Sequence, residues 1–173
     1  MDGDRLVEIT RDGRFVRQYG RQGVAPGEFW GPHALAYDSQ GRLFVADRSN
    51  NRVQIFDKNM NYVDDWKHFS RPSGVWILKD DTMFVADSES RYDGFTPEEF
   101  FPRNKGARNA GWQNGIRIGS AKDGSLKYFI PGTMPEGMAA DEAGNVFAGL
   151  TGGCGPGQGG KPQINCLQKW VKK

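Results

Sequence analysis

Residues 31–57 read GPHALAYDSQGRLFVADRSNNRVQIFD, and this stretch holds the repeating unit of the chain. Three short alternating runs lie within it: His33 to Tyr37, Leu43 to Ala46 and Val53 to Phe56. Asp38-Ser-Gln-Gly41 and Asp47-Arg-Ser-Asn-Asn51 separate them, which is the pattern of antiparallel strands joined by tight connections. A fourth run, Tyr62 to Trp66, follows Lys58-Asn-Met-Asn61. Four short strands in about forty residues make one blade of a β-propeller.

The rest of the chain repeats this unit. Leu43-Phe-Val-Ala-Asp47 returns as Met83-Phe-Val-Ala-Asp87 and, more loosely, as Val146-Phe-Ala-Gly-Leu150, while Pro32, Pro72 and Pro135 recur just before an innermost strand. With strands named a to d from the axis outward, residues 1–20 supply only c and d, matching Arg5 to Ile9 and Phe15 to Tyr19. A full blade occupies 31–69, and a second occupies 70–131 with an insertion at 91–112 between b and c. An incomplete last blade runs over 132–173, with a at Gly137 to Ala140, b at Val146 to Gly149 and c at Cys166 to Val171. The expectation is an all-β, partial β-propeller of about three blades in a single domain. Propellers close with four to eight blades, so the chain is either the C-terminal half of a larger ring or half of a homodimeric six-bladed one. Two copies would bring two more strands than six blades take.

Composition agrees and excludes several function classes. Twenty-four glycines and nine prolines in 173 residues, with little 3.6-residue periodicity, predict a turn-rich chain with minor helix. The formal charge of +2 is scattered, which argues against nucleic acid as a partner. Apolar runs of four or five residues are too short to span a membrane, and Met1-Asp-Gly-Asp-Arg5 does not have the form of a signal peptide.

Strands alternate in direction, so the d-to-a and b-to-c connections emerge on one face and the tight a-to-b and c-to-d turns on the other. His33, Ser73 and Met134-Pro135-Glu136 lie in d-to-a connections at the mouth of the central channel. The 47–52, 91–112 and 152–162 segments are b-to-c connections on the same face, where long loops on a rigid scaffold build sites. His33 and Glu136, two blades apart at equivalent positions, are candidate metal ligands, since imidazole and carboxylate suit zinc. A hydrogen-bonded structural role for His33 is the alternative. His68 is expected at the rim of a d strand as an edge residue. Asp47 and Asp87 are expected to cap the turns that follow them, with calcium as a lesser alternative. Arg48, Asn50, Asn51 and Arg52 are expected to staple blades. The insertion, with Tyr92, Phe95, Phe100, Phe101 and Trp112, either lids the channel or packs on a neighbouring blade. The repeat register assembles no Ser-His-Asp or Cys-His arrangement for covalent hydrolysis.

GEFWGPHALAYDSQGRLFVADRSNNRVQIFD resembles the NHL repeat, and the chain from Arg5 to Lys173 is similar to the C-terminal half of bacterial six-bladed propellers of the peptidyl-α-hydroxyglycine α-amidating lyase-like family. That family's lyases hold zinc in the central channel with three histidines and line the substrate site with an Arg, a Tyr and a Met. The resemblance implies that His33 is one zinc ligand and that Met134 is the site methionine, a candidate catalytic residue. Glu136 stands where the family has a further ligand histidine, and Gly137 where it has a calcium-binding aspartate. The tyrosine position falls at about Met1, and the remaining histidine and the arginine fall in blades that are absent. The resemblance also implies an extracellular or periplasmic parent family.

Two functions follow as expectations. One is a binding or assembly scaffold that could hold a metal at the channel mouth and presents its loop face to a small-molecule or peptide ligand. The other is a zinc-dependent enzyme related to the lyase, its site completed across a homodimer by two copies of His33 and Glu136. Cys154 and Cys166 flank a Gly-rich loop, and their spacing suits either a disulfide across its base or two reduced thiols. Thermal denaturation with and without reductant separates these: a bridge lowers the melting temperature on reduction, and an unchanged curve identifies two thiols.

Overall fold

Short runs bounded by turn residues pair as antiparallel strands, whose successive side chains point to opposite sheet faces. The computed structural model describes residues 3–90, 112–150 and 167–172. Among them thirteen strands form four antiparallel sheets. The first sheet pairs β1 (Leu6–Ile9) with β2 (Phe15–Tyr19). The second contains β3 (Pro32–Tyr37), β4 (Leu43–Asp47), β5 (Arg52–Phe56) and β6 (Tyr62–Trp66) in that spatial order. The third contains β7 (Gly74–Ile77), β8 (Thr82–Asp87), β9 (Gly115–Ser120) and β10 (Leu126–Pro131). The fourth contains β11 (Pro135–Ala140), β12 (Val146–Leu150) and β13 (Leu167–Trp170). The grouping of two, four, four and three strands is the partial propeller that the repeats predict. A single 3-10 turn, Arg48–Asn50, is the only helical element among the described residues.

Register identifies the first sheet as the outer half of a blade. Leu6 opposes Tyr19 as Val53 opposes Trp66, and the bulge between Glu8 and Ile9 falls where β5 has one between Ile55 and Phe56. The sheets stack face to face, with the innermost strands β3, β7 and β11 packed side by side in succession. Stacking explains the unbroken apolar run in β4, which is buried along its whole length. Leu43 and Val45 face a cluster with Leu6, Phe29 and Phe56, while Phe44 and Ala46 face the opposite cluster with Trp66, Phe69, Val75, Met83 and Val85. In β8, Phe84 turns to a third cluster with Ile116, Ala140, Val146 and Ala148.

The a-to-b turns need one residue in the left-handed region, which glycine adopts without a Cβ penalty. Gly41 (φ 76°) and Gly144 (φ 84°) supply it in two blades, and Asp81 (φ 68°) takes the position in the third. That conformation aims the Asp81 carboxylate at the preceding blade, where it accepts from Ser39 N and Oγ, both at 2.8 Å. Burial pushes the Asp81 carboxyl up, but the Ser39 bonds outweigh it and hold it below the ordinary carboxylate range.

Two denaturation experiments follow. Phe44→Ala, which empties a fully buried inter-blade site, is expected to cost about 3–5 kcal/mol by urea unfolding. Asp81→Asn is expected to cost about 1 kcal/mol at neutral pH. Because the folded carboxyl titrates below its unfolded value, its stabilisation exists above the unfolded value and is lost as pH falls through the folded one. The two proteins should therefore converge in acid.

Candidate functional site

A proline opens β3 and another opens β11, and each strand bulges at the next residue. The register slips between Pro32 and Ala34 and between Pro135 and Gly137, so His33 and Glu136 leave the ladder. Bulges re-aim side chains in this way. Ser73, after Pro72, is the equivalent residue of the blade between them, and its N–H donates to Ala86 O at 2.7 Å. The three positions converge on the face carrying the d-to-a and b-to-c connections.

His33 Nδ1 lies 2.7 Å from the Ser73 carbonyl, and its Nε2 lies 3.0 Å from Glu136 Oε1. Both ring nitrogens therefore face acceptors. Arg48 Nη1 donates to the same Glu136 oxygen at 3.0 Å, and Ser88 Oγ donates to Oε2 at 2.7 Å. The Ser88 and Ser73 hydroxyls are hydrogen-bonded to each other at 2.8 Å. Arg48 and Ser88 occupy the same repeat position, the residue after the aspartate that ends strand b. Glu136 thus joins three blades. Met134, half exposed, lies two residues earlier on the same connection.

A second guanidinium stands beside this knot. The Arg71 side chain is 3% exposed and lies against Glu89, a b-to-c residue. Burial pushes Arg71 down to about 10, opposed by the Glu89 charge and assisted by Arg48.

Asp47 and Asp87 are fully buried behind the mouth. Asp87 caps its turn as expected, accepting from Glu89 N at 3.1 Å and Ser90 N at 2.8 Å. Asp47 does not cap: the 3-10 turn after it has no side-chain cap bond. Its carboxylate instead takes Trp30 N (2.7 Å), Asn50 Nδ2 (2.9 Å), Arg52 Nε (2.8 Å) and Gln54 Nε2 (3.0 Å). Arg52 and Asn50 are staples, with Arg52 also reaching Asp65 and the carbonyls of Ala25 and Glu28, and Asn50 reaching that of Gly23. His68 lies beyond the end of β6, and its Nε2 contacts Gly124 O of the next blade at 2.8 Å. The insertion's readings at 91–111, the 152–162 loop and the Cys154–Cys166 pair lie outside the described residues. Trp112 is described, with the Arg117 guanidinium 5.1 Å from its ring centre.

His33 Nε2 and Glu136 Oε1 are near enough to ligate one ion, but Arg48 shares that oxygen. Among the described residues no group of three His, Cys, Asp or Glu side chains is placed to hold a metal. A structural zinc takes four ligands and a catalytic one takes three protein ligands, so these two donors do not complete either in one chain.

Radially stacked four-stranded sheets with a polar knot at the axial mouth define a β-propeller. Residues 29–56 match the NHL repeat, so the chain carries blades of that type. It is 41% identical over 103 residues to human NHL repeat-containing protein 3, covering 57% of this chain and 26% of that protein. It is 30% identical over 158 residues to Xenopus laevis peptidyl-glycine alpha-amidating monooxygenase B, covering 84% of this chain and 16% of that one. Virginiamycin B lyase from Staphylococcus aureus shares the fold, with a TM-score of 0.59 at 15% identity over all of this chain and 50% of the lyase chain. The chain thus spans about a quarter or less of the two curated relatives.

The knot gives one local prediction. Ser88→Ala removes a donor to Glu136 and the partner of Ser73, and is expected to lower stability by about 1–2 kcal/mol in urea unfolding. No measurable loss would contradict the hydrogen-bonded arrangement.

Proposed function

We propose that this chain works as a non-catalytic propeller scaffold whose channel-mouth face binds a small-molecule or peptide ligand. The observation that carries this reading is the engagement of Glu136 by His33, Arg48 and Ser88. Three blades converge polar groups on one carboxylate, and converging polar groups in a concave site orient a ligand. The same carboxylate, already paired with a guanidinium, is a poor start for a metal centre. The NHL repeat itself specifies fold more than chemistry. The scaffold includes a homodimer, supported by exposed Leu35 and Tyr37 on the innermost strand and Val7, Ile9 and Phe15 on the outer half-blade. An extracellular or periplasmic setting goes with the disulfide reading of Cys154 and Cys166.

The second reading is a zinc-dependent lyase-type enzyme with His33 and Glu136 as ligands and Met134 beside the substrate. It is favoured by the 3.0 Å separation of the two donors and by the amidating monooxygenase likeness. A second copy would have to supply the missing ligands. One experiment decides between the readings: zinc content after equilibrium dialysis, with turnover of a peptidyl-α-hydroxyglycine substrate measured on the same sample. The scaffold predicts less than about a tenth of an equivalent of zinc per chain and no turnover. Stoichiometric zinc with turnover, both lost in His33→Ala, replaces it with the enzyme.

A further inference from the structure

The innermost strands follow one rule where sheets meet. Ala34 and Ala36 of β3 pack in one cluster with Val75 and Ile77 of β7. Gly74, which stands in β7 where Ala34 stands in β3, leaves room for β11: a Cβ there would lie 3.4 Å from Met138 Cγ. At this one repeat position, each junction sets a small residue against a larger side chain of the next sheet.

The two sheets at the ends of the series carry the two halves of a further junction of this kind. Gly137 is the residue of β11 at that position, and a Cβ there would meet no atom within 4 Å. Alternation puts Ala139 on the same outward face, opposite Met138 and Ala140, which pack on the third sheet. At the other end, Leu35 and Tyr37 of β3 are 55% and 65% exposed. They occupy the positions of Val75 and Ile77, and they line a groove of about 500 Å³ together with Val7, Ile9 and Tyr19 of the outer half-blade. Among the described residues β1 pairs only with β2, so its other edge opens into this groove.

We infer that the groove is the seat of the β11–β12 hairpin of a second copy of this chain, with β12 added to the edge of β1 and with Gly137 and Ala139 laid against Leu35 and Tyr37. The inference rests on the scaffold reading above and assigns the surfaces through which two copies meet. A twofold axis makes the contact twice, so one pair of copies covers both ends of both series. β12 carries β13 on the edge it offers, and β13 is the strand that yields. Its four residues are exposed or half-buried, whereas Leu6 fixes β1 in a core cluster. Val7 and Ile9 share the repeat positions of Gln168 and Trp170, so the exchange carries two exposed apolar side chains to the places beside Ala148 and Val146. With β13 released, two copies hold the strands of six four-stranded blades and none in excess. Burial of the apolar groove drives the step, and edge pairing sets its register.

The test is light-scattering mass of the whole chain through a concentration series, with hydrogen exchange read on the same samples. Twice the chain mass is expected, and in the dimer the amides of β1 gain protection while those of β13 lose it. Ala139→Glu and Leu35→Lys should each weaken the dimer by about tenfold or more, because a charge enters an apolar junction twice per dimer. An equimolar mixture of the two variants should regain it, since one junction then pairs Glu with Lys and the other is unaltered. A single-chain mass at every concentration overturns the inference and assigns these faces to further blades of a longer polypeptide. A dimer indifferent to both substitutions, a mixture no tighter than its components, or β13 amides still protected in the dimer overturns it as well. If either variant does not fold, mass and hydrogen exchange of the unaltered chain decide alone. Zinc content and turnover decide the scaffold reading and are blind to which faces meet, so the two failures are distinguishable.

Discussion

A carboxylate with no access to water must have its oxygens bonded by the protein, and this constraint at Asp47 and Asp87 organises the mouth. Asp47 draws in the connection entering its blade through Trp30, the turn leaving β4 through Asn50, and strand β5 through Arg52 and Gln54. Asp87 does the same with Ser70 and Arg71 N before its blade, Glu89 and Ser90 after β8, and Arg117 on β9. Each aspartate fixes where two connections cross the end of a sheet. The residues that follow, Arg48 and Ser88, are thereby delivered to Glu136. Position 150, the corresponding end of β12, is Leu, so the last blade lacks this anchor.

The site emerges from repetition broken at one place. Proline recurs before each innermost strand, and the next residue is His33, Ser73 or Glu136. Identical residues there would repel or leave groups unmatched. An imidazole, a serine and a carboxylate complement one another, and the serine contributes both its carbonyl and its hydroxyl. Bulges at His33 and Glu136 turn these side chains out of the ladder, so the same feature that disturbs pairing builds the mouth. Arg71 immediately precedes Pro72, so its buried side chain lies on a d-to-a connection.

Much of the fold was legible because alternation and turn residues are local. Tyr62–Trp66 and Phe15–Tyr19 have the strand limits that alternation predicts, and the other elements differ by a few residues at their ends. The pairing of Arg48 with Glu136 was not legible, since it depends on how far successive sheets rotate about the axis. Repeat alignment puts Arg48 and Ser88 in one column, and that column was the available signal. Asp47 illustrates a second limit: an aspartate before a turn usually caps it, but here tertiary donors claim the carboxylate first. His68 illustrates a third, because its partner is a carbonyl fifty-six residues away on another blade.

His33 of the second sheet and Glu136 of the fourth meet across the blade between them. A double-mutant cycle of His33→Ala and Glu136→Ala, read by urea unfolding with and without added salt, measures that contact across blades. A coupling of about 1 kcal/mol that shrinks as salt rises is expected, because both side chains are partly exposed. Additive losses, with no coupling at any salt concentration, would contradict it.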